Sequence, residues 1–74
     1  MKSLPTKVLV ARRVRQMLEI KNLKRAQAAR LCDMPLVSME SYVQGTTMPG
    51  GENIAKLALG LRCSADWLLS GEDE

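Results

Sequence analysis

Two cysteines, Cys32 and Cys63, and no histidine are the whole stock of thiolate ligands and imidazole bases in the 74 residues. The cysteines do not stand at metal-ligand spacing, and no serine or cysteine has a histidine to activate it, so the chain offers neither a zinc site nor a nucleophile–base pair. Both cysteines read as small core hydrophobes. "GG" at 50–51 is too short to be a phosphate-cradling loop and reads as the start of a helix. No catalytic residue, metal or cofactor is therefore expected, and an enzyme is not. The side chains left with chemistry to do are those that carry charge and hydrogen bonds.

Their distribution is lopsided. Nine of the eleven Lys and Arg residues lie in residues 1–30 against a single acid, whereas residues 31–74 carry two against seven acids, giving +8 and −5 within a net charge of +3. A basic half of this kind suits an anionic partner such as nucleic acid, although a charge-rich helix is often only a solvated face. No segment approaches the roughly 20 apolar residues of a membrane span, and "MKSLPTK" followed by "VLVA" lacks the apolar run of a signal peptide. A cytoplasmic, reducing setting without membrane contact is the expectation.

The elements that must position these charges are all helical. Val10, Val14, Met17 and Leu18 recur at helical spacing, predicting a first helix over roughly 6–21. "KRAQAARLC" predicts a second over 24–32, in which the small Ala28 and Ala29 allow another helix to approach closely. Asp33 then breaks the chain, since aspartate tolerates turn and left-handed conformations. Pro35 suits the first turn of a third helix over 36–44, with Gly45 as its stop. "TTMPGGE" is a loop. Ile54, Leu57, Ala58 and Leu61 stripe a fourth helix over 51–60, and Ser64 caps a fifth over 65–70 that Gly71 closes. Trp67 reads as core or core edge, with a dimer contact as the alternative. There is no β-alternation and no repeat, so residues 1–74 are expected to form a single all-α domain of five short helices.

A helix, a turn of about three residues and a second helix have the proportions of a helix-turn-helix unit. Ala29 in the second helix, Met39 and Tyr42 on the third, Gly45 after it, Pro49 in the loop and the closing "IAKLALGLRCSADWLLSGE" together resemble the lambda-repressor-like helix-turn-helix family, also called the xenobiotic-response-element family. The likeness is to its phage-type repressors, which end in a "DWLL-x-GE" segment, and it spans roughly residues 7–72.

The resemblance implies a five-helix fold whose third helix faces base edges through Leu36, Val37, Glu40 and Ser41, with Gln44 nearer its end. Lys24 and Arg25, at the start of the second helix, and Thr46 and Thr47 in the loop would face phosphates. Arg25 stands where members usually carry a phosphate-touching Gln, so that contact is kept with a full charge. Other positions depart. Asp33 replaces the usual glycine of the turn and Pro35 the usual Ser or Thr cap. Leu18 and Val43 occupy the positions where many members pair a buried Arg with a Glu, and an apolar pair avoids desolvating two charges.

Leu36 and Val37 are apolar where readers usually hydrogen-bond, which points to packing on thymine methyl groups, with Glu40, Ser41 and Gln44 supplying polar contacts. The function implied is a sequence-specific transcriptional regulator of double-stranded DNA, a phage or prophage-type repressor that acts as a homodimer by occluding its operator. The alternative is a protein-interaction module of the same fold, antitoxin-like or an anti-regulator, that places Leu36 and Val37 on a protein partner.

Overall fold

The computed structural model describes residues 5–71 and contains five α-helices, α1 (Lys7–Ile20), α2 (Arg25–Leu31), α3 (Leu36–Gln44), α4 (Gly51–Leu61) and α5 (Ala65–Ser70), with no strand among the described residues. Thr6 opens α1 by accepting from the Leu9 N–H at 3.2 Å. The helix buries Val10, Ala11, Val14 and Leu18, a stripe one face wide. Asn22 takes the left-handed conformation (φ 55°), and the chain turns back with the Leu23 N–H donating to the Leu18 carbonyl at 2.8 Å.

The start of α2 is held by the Gln27 side chain, which accepts from the Lys24 N–H at 2.8 Å. Ala28 and Ala29 are buried, and Asp33 turns left-handed (φ 54°) so that the Met34 N–H reaches the Ala29 carbonyl at 3.0 Å. Pro35 stands one residue ahead of the first turn of α3, not within it. Its carbonyl accepts from the Ser38 and Met39 N–H groups at 3.1 and 3.2 Å. Proline there sets the entry angle without removing a helical donor. Gly45 closes α3 at φ 80°, as glycine alone does without strain.

The fourth helix runs one residue past its sequence-expected end, to Leu61, because Arg62 adopts the left-handed conformation (φ 56°) that stops it. Ser64 Oγ accepts from the Trp67 N–H at 3.2 Å to open α5, and Gly71 ends it. At Gly60, α4 comes close against the end of α2. A Cβ there would lie 2.6 Å from Cys32 Sγ and 2.7 Å from both the Cys32 Cα and the Leu31 carbonyl oxygen.

The core is one cluster to which every helix contributes, with Met39, Leu57, Leu61 and Leu68 among its fully buried side chains. Leu18 and Val43 both belong to it, so the helix-1 and helix-3 positions that carry an ion pair in many members hold apolar core here. Trp67 packs against the same cluster partly exposed. Both cysteines are free thiols; Cys32 is buried, and burial beside Cys63 pushes its pKa up to about 11.

Candidate nucleic-acid interface

The third helix packs against α1 and α2 and buries Met39, Tyr42 and Val43. Leu36, Val37, Glu40, Ser41 and Gln44 follow the spacing i, i+1, i+4, i+5, i+8, which places them together on the opposite face. That face is open. Leu36 is 43% exposed and Val37 72% exposed, while Glu40 and Ser41 are partly exposed and Gln44 is exposed. The two apolar residues sit side by side in the first turn, and such adjacency is more than the isolated surface hydrophobe expected by chance.

Arg25 and Glu40 meet across the junction of α2 and α3, with Nη1 to Oε2 at 4.0 Å. Their side chains are 46% and 44% exposed, so the pair contributes little to stability. Its consequence is positional: the guanidinium expected to face a phosphate is turned toward the open face of α3. Lys24 lies exposed at the N-terminal end of α2. At the other end of α3, Ser41 Oγ lies 2.9 Å from Thr46 Oγ1 and donates to Thr47 Oγ1 at 2.7 Å. Five of the nine expected base-facing and phosphate-facing residues thus fall into two linked groups, Arg25 with Glu40 and Ser41 with Thr46 and Thr47, while Lys24, Leu36, Val37 and Gln44 lie outside them.

Several connections hold the helix-turn-helix in place. Lys56 of α4 donates to the Asp33 carbonyl in the turn at 3.2 Å. The Asn53 amide donates to the Tyr42 hydroxyl, tying α4 to the inner face of α3. Arg15 Nη1 donates to the Val43 carbonyl at 2.6 Å, and Arg13 Nη1 to the Leu68 carbonyl at 3.0 Å. These two arginines, which the helical pattern alone turns outward with Arg12 and Gln16, bind the unpaired carbonyls at the ends of α3 and α5. A cation there also meets the negative end of the helix dipole. Part of the basic surplus of the first thirty residues is thus structural, and no sequence signal marks it, because the acceptors lie 28 and 55 residues away.

Among the described residues no group of three or more His, Cys, Asp or Glu is placed to hold a metal ion, and no helix is long and apolar enough to cross a membrane. No protein-family model matches the chain, and no curated protein does. Among solved structures, the crystal structure of the P22 c2 repressor protein in complex with synthetic operator 9T matches with a TM-score of 0.80 and 28% sequence identity, over 86% of this chain and 97% of that one. This chain is a lambda-repressor-like helix-turn-helix domain. In a lambda-repressor-like domain α2, the Asp33 turn and α3 are the helix-turn-helix itself, with the exposed face of α3 as its outward surface. The left-handed Asp33 and the extended Pro35 replace the family's glycine and hydroxyl cap while α2 and α3 still pack together.

Proposed function

We propose that the domain is a sequence-specific DNA-binding transcriptional regulator, a repressor of phage or prophage type that occludes its operator. The carrying observation is the open face of α3, with Leu36, Val37, Glu40, Ser41 and Gln44, presented on a fold that matches a repressor in complex with operator DNA. In this reading α3 enters the major groove and its first turn lays Leu36 and Val37 on thymine methyl groups. Gln44 supplies a donor and an acceptor near the far end of the helix. Glu40 accepts from a cytosine amino group when the helix is in register and repels phosphate when it is not.

Lys24 and Arg25 hold one flanking backbone segment, and Thr46, Thr47 and the loop amides another. A homodimer places two such helices about one DNA turn, roughly 34–36 Å, apart, so the operator is expected to be an inverted repeat. Methyl contacts discriminate less sharply than a bidentate hydrogen-bonded pair, so spacing and duplex shape carry much of the choice of site.

The test is titration of the domain against duplex DNA over a series of salt concentrations. Binding is expected to weaken steeply with salt as neutralised phosphates release counterions. Changing both Lys24 and Arg25 to Ala is expected to weaken binding to every sequence alike and to flatten the slope of log K against log salt by about 1 per lost contact. Undetectable binding at low salt would remove this reading and leave the exposed Leu36 and Val37 as the contact for a protein partner, which Leu36→Asp would then abolish.

A further inference from the structure

The end of α3 and the loop behind it share three hydroxyl groups, and their protons can be counted. Ser41 Oγ donates its only proton to Thr47 Oγ1 at 2.7 Å. Thr46 Oγ1 lies 2.9 Å from Ser41 Oγ and 3.3 Å from the Ser41 carbonyl oxygen, so with Ser41's proton spent, either arrangement returns the Thr46 proton to Ser41. Thr47 accepts within the cluster and has no acceptor for its own proton among the described residues, and it is exposed. The chain of hydroxyls therefore runs from Thr46 through Ser41 to Thr47 and ends on one free proton. A hydroxyl that already accepts a hydrogen bond is polarised into a better donor, and an anionic oxygen is its strongest acceptor.

Ser41 lies one helical turn from Val37 on the open face of α3, so the loop hydroxyl it holds stands beside the base-facing turn, where a helix in the major groove meets the flanking backbone. We propose that Ser41 does not read a base but is a positioning residue that presents the Thr47 hydroxyl proton to a DNA phosphate oxygen. This rests on the DNA-binding reading and changes the role of one residue within it. It leaves base discrimination to Leu36, Val37, Glu40 and Gln44.

The experiment compares wild type, Ser41→Ala, Ser41→Thr, Thr47→Ala and the Ser41→Ala/Thr47→Ala double variant on two duplexes, a selected site and a scrambled one, with thermal melts confirming that each variant is folded. Ser41→Ala and Thr47→Ala are each expected to weaken both duplexes by the same factor, about tenfold, the lower end for a hydrogen bond to a charged group. The double variant is expected to lose no more than about twofold beyond either, since one interaction is removed twice, and Ser41→Thr is expected to bind as wild type. Neutral methylphosphonates placed singly along the site are expected to include one position that weakens wild type but not Thr47→Ala.

Loss of discrimination at one base pair in Ser41→Ala, losses that multiply in the double variant, or no such methylphosphonate position would overturn the proposal while DNA binding stands. Failure of wild type to bind any duplex would overturn both.

Discussion

Gly60→Ala probes how closely α4 must sit on the end of α2, and through it the seat of the helix-turn-helix. The added Cβ would lie 2.7 Å from the Cys32 Cα and from the Leu31 carbonyl oxygen, and 2.6 Å from Cys32 Sγ. Two of those three atoms are backbone and cannot rotate away, so α4 must shift. Overpacking of this kind costs about 1–3 kcal/mol, and the better helix propensity of alanine returns only about 0.5–1 kcal/mol. The expected net loss is centred on about 1 kcal/mol and reaches about 2.5 kcal/mol, a sizeable share of the roughly 3–5 kcal/mol that a single small core supplies. With a Tm shift of about 4–8 °C per kcal/mol at this size, helical circular dichroism should show a drop of several degrees, and urea denaturation a lower midpoint. Trimming the sulfur in a Gly60→Ala/Cys32→Ala double variant should restore little, because the backbone contacts remain. A Tm equal to or above wild type would refute the close approach.

Arg62→Gly should raise stability by about 0.5–1 kcal/mol, since it frees a left-handed position from its Cβ at some entropic cost; thermal melting checks it. Val43→Glu should cost about 3–5 kcal/mol by burying a lone charge, and adding Leu18→Arg should recover part of it, read as a coupling energy in a double-mutant cycle. The buried Cys32 thiol, raised to about 11 from its usual value, favours the folded state below the unfolded thiol pKa, and that contribution is lost as pH rises toward 11. Wild type should therefore lose Tm above about pH 9 more steeply than Cys32→Ala, and native Cys32 should resist alkylation at neutral pH.

The five helices are legible because their stops are chemical: Gly45 and Gly71 at left-handed caps, Ser64 at an opening, and Asp33 at a turn. Local residues set local backbone, and the stripe of α4 marks its buried face without help from the rest of the chain. What stays hidden is whatever depends on two distant segments meeting. Arg13 and Arg15 look like surface charge until the carbonyls of Leu68 and Val43 are brought to them. Gly60 looks like an ordinary weak point in a helix until Cys32 and the Leu31 carbonyl lie under it. At the interface, the outward face of α3 follows from helical spacing, but the links from Glu40 to Arg25 and from Ser41 to Thr47 follow only from the angle of α2 and the path of the loop.

The central claim, that α3 reads a duplex with its apolar first turn, is tested most directly by replacing thymine with uracil at each step of a selected site and titrating wild type and Val37→Ala against both duplexes. At the contacted step, uracil and Val37→Ala should each weaken specific binding by similar factors, their combination should weaken it no further, and the salt slope should stay the same, because one methyl contact is removed in either case. A uracil duplex that binds wild type as tightly as the thymine duplex at every step, while Val37→Ala still abolishes function, would contradict the claim and assign α3 to a protein partner.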